Sequence, residues 1–348
     1  MESICEHALG VQVAAVPEIL SIIVPLYKSA SNLPLLFDEL QRIAGLSPID
    51  VELVFVDDGS PDECASIVEK RLPELGLRAQ LIRLSRNFGS FAAISAGLAH
   101  ASGDYFAALA ADLQEPPELL LEFLNEMRSG RADIVFGQRS GRDDSTLTSV
   151  SSKVYWGLYR RLVNRDIPPG GVDIFGCTRR VRDQICAMKE VETSLVALLF
   201  WVGFRRVFVP YRRRRREAGK SAWTLRKKLR YMANSIFGFT DLPIKALLAA
   251  GGLGMALALI GAATTLFAKL SGQIPVPGYA ATVLTILFFG GLTSAGLGIV
   301  GEYLWLCLQN ARQRPLYVVA SKTINRESVS LQAPGPPRTR STTQNPGG

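Results

Sequence analysis

Two charge-free apolar runs, 246–268 and 279–301, follow more than two hundred residues of polar, mixed character. Each is about 22–23 residues long, the length an α-helix needs to cross roughly 30 Å of hydrocarbon. Backbone groups in lipid must bond within their own segment, so runs of this kind read as spanning helices. Neither run offers a polar face, which argues against a pair of helices on a soluble core. The expected plan is a loose arm over 1–17, a soluble domain over 18–223, and a juxtamembrane segment over 224–243. Spans at 244–269 and 278–308 follow, and a mostly disordered tail over 309–348.

The charge pattern orients that plan. The chain has a net charge of +8, and the excess is clustered. Arg205, Arg206, the run 212–216, Lys220, the run 226–228 and Arg230 precede the first span; Arg312 and Arg314 follow the second. Only Lys269 lies near the turn between them. Positive charge stays inside, so the soluble domain and the tail are expected in the cytoplasm, beneath a plasma (inner) membrane. The first ten residues include Glu2, Glu6 and His7, unlike a signal peptide. Basic residues that border a span, without an independent basic fold, do not describe a nucleic-acid binder. The five cysteines form no CxxC pair and the histidines are only His7 and His100. A structural zinc site, a disulfide framework and a histidine base are therefore not expected.

Hydrophobic periodicity predicts strands at 20–24, 51–56, 80–84, 105–109 and 133–137, alternating with helices at 32–43, 61–72, 91–101 and 116–127. Such alternation implies βαβ units and a mostly parallel, Rossmann-like sheet. Further on, 146–166 has helical spacing, 193–201 reads as a short apolar helix and 204–210 as an edge strand. The segment 224–239 is amphipathic, with basic and aromatic faces suited to a headgroup layer. Ligands of open α/β sheets bind beyond the strands' carboxyl ends. The residues there are Pro25 to Tyr27, Asp57 to Ser60, Ser85 to Gly89, Asp112 to Gln114, and Gln138 with Arg139. No dinucleotide fingerprint or P-loop is present. Carboxylates and arginines on one edge instead suit a nucleoside diphosphate and a divalent cation, Mg2+ or Mn2+.

The strings IIVPLY, VFVDDGSPDE, LSRNFGSFAAISAGL, ADLQEPPELL and REAGKSAW occur in that order. Together with the two terminal spans they resemble the glycosyltransferase family 2 enzymes that load polyprenyl phosphates, over about residues 19–310. The resemblance implies a GT-A catalytic domain, an interfacial helix and two C-terminal transmembrane helices. It also implies inverting transfer of a sugar from a nucleotide sugar, with UDP favoured and GDP the alternative, to a polyprenyl (undecaprenyl) phosphate. Pro25, Tyr27, Asp57 and Asp58 match positions around the base and ribose. Asp112 and Gln114 match the metal and diphosphate motif, and Arg86, Lys220 and Ser221 join the donor site. Arg139, Lys153 and Trp223 fall to the acceptor phosphate region. Asp173 matches the acidic residue of the acceptor loop, and Arg216 opens the R-x-x-G-x-S motif that closes over the diphosphate.

Three positions depart from that pattern. Ala110 replaces the first aspartate of the metal motif, Lys28-Ser29 stands where many relatives have Asn-Glu, and no basic residue follows Asp173. Fewer protein ligands then hold the cation, which magnesium tolerates by keeping waters and substrate phosphates. Bland readings stand beside these roles: Asp57 and Asp58 suit an ordinary turn, Asp112 a helix cap, and Asp173 either a base or a positioning group. A phosphate monoester with a second pKa near ~6 is already mostly dianionic and needs little deprotonation. Of the run 212–216, only Arg216 is expected in the chemistry, most of its members meeting anionic headgroups. Small residues every four positions (Ala250, Gly254, Ala258, Ala262; Gly290, Ser294, Gly298) suit close packing of the two spans or a homo-oligomer. The other readings are a processive polysaccharide synthase, against which the absence of QxxRW and the small number of spans count, and a non-catalytic scaffold.

Overall fold

The computed structural model describes residues 17–141, 166–168, 172–188, 194–214, 240, 242–271 and 278–325, with isolated positions at 157, 160–161 and 236–237. Its centre is an eight-stranded mixed sheet. The first strands are β1 (Ile19–Leu26), β2 (Asp50–Asp57), β3 (Arg78–Leu84) and β4 (Tyr105–Ala108). The helices between and after them are α1 (Leu33–Leu46), α2 (Cys64–Arg71), α3 (Ser90–His100) and α4 (Leu119–Arg128). Then come β5 (Ile134–Gly141), β6 (Val172–Thr178), α5 (Arg179–Ala187), α6 (Leu195–Trp201) and β7 (Arg206–Arg212). The long helices α7 (Leu242–Leu270) and α8 (Tyr279–Ala311) precede the last strand, β8 (Val319–Asn325).

Strand order is β7-β5-β6-β4-β1-β2-β3-β8. The block β3-β2-β1-β4 is parallel throughout, as the βαβ spacing predicts. Its strands are apolar on both faces because helices cover both. Leu20, Ile22, Val24, Leu53 and Phe55 pack with α1, α2 and α4 on one side. Ile23, Val54, Val56 and Ile82 pack with α3, α5 and α6 on the other. Beyond β4 the sheet turns mixed: β6 runs antiparallel to β4 and β5, and β7 lies parallel to β5 on the outer edge.

The reversal of β6 matters for the site. Its first residues continue past the carboxyl end of β4, with Ala107 opposite Gly176. The backbone of Asp173 is thereby brought to the edge where β1, β2 and β4 end. Strand β8 was not anticipated. It lies within the residues expected to form a mostly disordered tail, yet pairs antiparallel with β3 over Ala79–Leu84. Its surface is largely exposed, so its sequence lacks the apolar signature of an inner strand.

Helices α7 and α8 are each long and apolar enough to cross a membrane, by length and composition. They touch through small residues: Gly254 approaches Phe289 and Leu292, and Gly296 approaches Leu247. A Cβ added at Gly290 or Gly298 would meet nothing within 4 Å among the described residues. Of the two small-residue rows, Gly254 thus serves contact between the helices.

Candidate active site

Three loops converge at the carboxyl edge and are bonded to one another through the backbone. The loop after β1 is tied to the loop after β2: Lys28 N–H donates to Ser60 Oγ at 2.7 Å, and Ala30 N–H to Asp62 Oδ2 at 3.1 Å. Asp58 N–H donates to Leu26 O at 2.9 Å. These bonds leave Tyr27 41 % exposed at the mouth, with the Lys28 ammonium 5.6 Å from its ring centre. Pro25, one residue before the end of the same strand, is half-buried.

The two aspartates of the DDGS turn are both buried but do different work. Asp57 Oδ1 accepts from Ser60 N–H at 3.0 Å, and Arg83 lies 3.9 Å from Oδ2. Burial pushes its carboxyl up; Ser60 and Arg83 pull it back without cancelling the rise, and Asp62 adds to it. Asp58 turns inward and accepts from Phe88 N–H at 2.7 Å and Gly89 N–H at 2.9 Å. Burial raises its carboxyl as well, outweighing those two amides, with Asp57 pushing the same way. Gly59, at φ +60°, is the residue this clamp requires. A Cβ there would sit 2.5 Å from the Arg86 carbonyl carbon and 2.7 Å from Asn87 N. Both oxygens of Asp58 thus grip the loop after β3. Arg86 stands on that loop with its guanidinium 4.1 Å above the Phe88 ring.

The loop after β4 alternates. Leu113, Glu115 and Pro117 are buried, whereas Asp112, Gln114 and Glu118 are half-exposed toward the edge. Leu113 holds φ +50°, a left-handed backbone that costs a non-glycine residue about 1–2 kcal/mol. Insertion of its side chain into the main core offsets that cost. Gln114 N–H leans on Asp112 Oδ1 at 3.4 Å. Arg139 is half-buried on β5, in register with Tyr211.

Two arginines of the basic run reach this loop. Arg213 Nε lies 3.4 Å from Glu115 Oε1. Arg214 N–H donates to Gln114 O at 2.8 Å, and its guanidinium reaches Glu118 at 3.3 Å. Arg213 thus serves Glu115, since a carboxylate this buried needs a cation beside it. Glu115 and Glu118 were missed by the sequence reading. The available signal was the in-out alternation of ADLQEPPE. Lys153, Arg216, Lys220, Ser221 and Trp223 lie outside the described residues, as does the side chain of Asp173.

A parallel sheet block whose loops carry carboxylates at one edge, extended by a reversed strand, is the GT-A type of α/β fold that the resemblance implies. The comparisons carry this further. Residues 21–186 match the family described as Glycosyl transferase family 2. An uncharacterized glycosyltransferase of Synechocystis is 33% identical over 305 residues, covering 86% of this chain and 94% of the relative. One from Bacillus subtilis, YkcC, is 31% identical and covers 86% and 92%. The chain belongs to glycosyltransferase family 2 and is a glycosyltransferase. A bactoprenol glucosyl transferase of Shigella phage SfV is 29% identical over 304 residues, covering 87% and 98%. Among solved structures, the mannosyltransferase PcManGT of Pyrobaculum calidifontis aligns over 84% of this chain and 88% of its own at TM-score 0.43 and 17% identity.

Proposed function

We propose that the enzyme transfers a sugar, with inversion, from a nucleoside diphosphate sugar to a polyprenyl phosphate at the cytoplasmic face of a membrane. The observation that carries this reading is the tether between α8 and the catalytic edge. Helix α8 ends at Ala311, and β8 starts at Val319 against the carboxyl end of β3. Seven residues span at most roughly 25 Å, so an embedded α8 would hold that edge within reach of the headgroups. A lipid phosphate is the acceptor chemistry such an arrangement suits. The relatives named bactoprenol glucosyl transferase support the same acceptor class.

On this reading the donor base lies near Tyr27 and Asp57, with UDP favoured over GDP. The diphosphate meets Asp112, Gln114 and, by motif, Arg86, Arg216, Lys220 and Ser221. The fit to a divalent cation is narrow. Asp58 is committed to two amides, Ala110 supplies no carboxylate, and no group of three ligating side chains occurs among the described residues. Asp112, with Gln114 beside it, would hold Mg2+ or Mn2+ only if substrate phosphates complete the shell. The ion would neutralise the departing diphosphate. Arg139, Lys153 and Trp223 are assigned to the acceptor phosphate. That phosphate is already mostly anionic and needs little deprotonation, so Asp173 serves either as base or as a positioning group as the phosphate oxygen attacks the anomeric carbon from the face opposite the diphosphate.

The test is a donor screen with radiolabelled nucleotide sugars, undecaprenyl phosphate and Mg2+, scored by label in the lipid phase. One donor should label lipid, and Asp112→Asn should abolish labelling while leaving a folded protein. Label from no donor, or full activity in Asp112→Asn, would overturn the assignment.

A further inference from the structure

Strand β7 ends on the outer edge of the sheet at Arg212, opposite Gly141 of β5. The two residues that follow cross to a loop belonging to β4. Arg214 bonds the Gln114 carbonyl through its own N–H at 2.8 Å. Glu118 then takes two guanidiniums, Arg42 of α1 at 2.5 Å and Arg214 at 3.3 Å. Beneath them Glu115 is 1% exposed and Arg213 stands 3.4 Å away.

We propose that Glu115 and Glu118 form a latch that seats Arg213 and Arg214 on the 112–118 loop, and that this seating fixes Asp112 and Gln114 in their donor-binding position. Glu115 and Arg213 are positioning residues: the ion pair between them joins the loop to its strap. The physical case rests on burial. A carboxylate under the loop is costly unless a cation faces it, so the seated arrangement is strongly preferred over one in which Arg213 swings out. Leu113 is held in a left-handed conformation one residue from Asp112. Such a turn keeps its geometry only while its surroundings over-determine it. The buried Leu113 side chain supplies one constraint and the Arg213–Arg214 strap supplies the second. Arg216 begins its motif two positions beyond Arg214, so the same strap leads from the Asp112 loop directly into the motif assigned to the diphosphate. The kinetic part of this inference rests on the assignment of Asp112 and Gln114 to the donor.

The experiment uses the purified full chain with two readouts. Hydrogen–deuterium exchange over a peptide covering 110–118 measures seating without reference to activity. Initial rates against nucleotide sugar and against undecaprenyl phosphate measure its consequence. Arg213→Ala should speed exchange in that peptide and raise the donor KM about tenfold or more, since small misplacements of binding groups are costly. The lipid KM should stay within about twofold, as expected when only donor contacts are lost. Arg213→Lys, which keeps a cation beside Glu115, should recover most of both. Should Arg213→Ala fail to fold, the more exposed Arg214→Gln should show the same pattern, smaller. Unchanged exchange in these variants would overturn the latch, and faster exchange with an unchanged donor KM would overturn its positioning role. Full activity in Asp112→Asn would instead remove the donor assignment, leaving the exchange result to decide seating alone.

Discussion

Neighbouring aspartates in the DDGS turn look equivalent in sequence, and their surroundings make them opposites. Asp57 spends one oxygen on the Ser60 amide, an acceptance that asparagine's carbonyl can repeat. Asp58 spends both oxygens on two amides, and asparagine would present an NH2 to one of them. Asp58→Asn should therefore cost about 1–3 kcal/mol, the penalty for an unsatisfied buried donor, read as a lower urea midpoint. Asp57→Asn should fold at least as stably as wild type at neutral pH while binding donor worse. Burial raises the Asp57 carboxyl above its ordinary value, so the folded state holds its proton to higher pH than the unfolded chain does. Stability then falls as pH rises from the unfolded pKa through the folded one. The advantage of Asp57→Asn should accordingly be absent in acid and emerge as pH rises through that window, in urea titrations at stepped pH. Sequence located both residues, because strand-DDGS-helix is a local pattern. It could not tell them apart, because the amides that occupy Asp58 come from residues 88 and 89, thirty positions away.

Among elements, the parallel block was legible and the additions to its edges less so. Strands β1 to β5 announce themselves as apolar runs because helices bury both their faces. Strand β8 pairs across more than two hundred residues of chain with β3, and none of its residues is buried, so it carries no apolar alternation that periodicity could detect. Its function is nonetheless structural: it covers the β3 edge, and Ser85 N–H donates to Val318 O at 2.9 Å at the root of the SRNFG loop. A chain ending at Arg314 should leave that edge unpaired, a known route to association. The truncated protein should lose at least about 2 kcal/mol, a few net hydrogen bonds' worth, and should aggregate more readily; thermal unfolding and light scattering check this. An unaltered midpoint would mean that β8 contributes no pairing energy. Strand β6 teaches a related lesson. Its Asp173 was chosen by motif alone, and the strand reversal that carries its backbone to the catalytic edge depends on partners in β4 and β5 that no local pattern reveals.

For the whole molecule, β8 also bears on topology. The residue following α8 by eight positions sits in the same sheet as β1, so the flanks of the two apolar helices belong on one side of any membrane they cross. This agrees with the basic flanks, each of which favours the cytoplasm. A reporter fused after Gly348 should behave as cytoplasmic, and one inserted near Gly272 should report the opposite face. Opposite results, or protease access to the tail from outside sealed cells, would contradict the arrangement. The apolar runs made the two long helices visible from sequence alone, whereas the tether that ties them to the carboxyl edge of the sheet emerged only from long-range pairing. The most direct test of the account is acceptor dependence in the purified enzyme reconstituted in lipid nanodiscs with Mg2+ and the donor selected by screening. Nucleoside diphosphate should be released one-for-one with glycosylated lipid when undecaprenyl phosphate is present, and scarcely at all without it. Release at the same rate without lipid phosphate, or sugar recovered on a soluble acceptor instead, would contradict transfer to a polyprenyl phosphate.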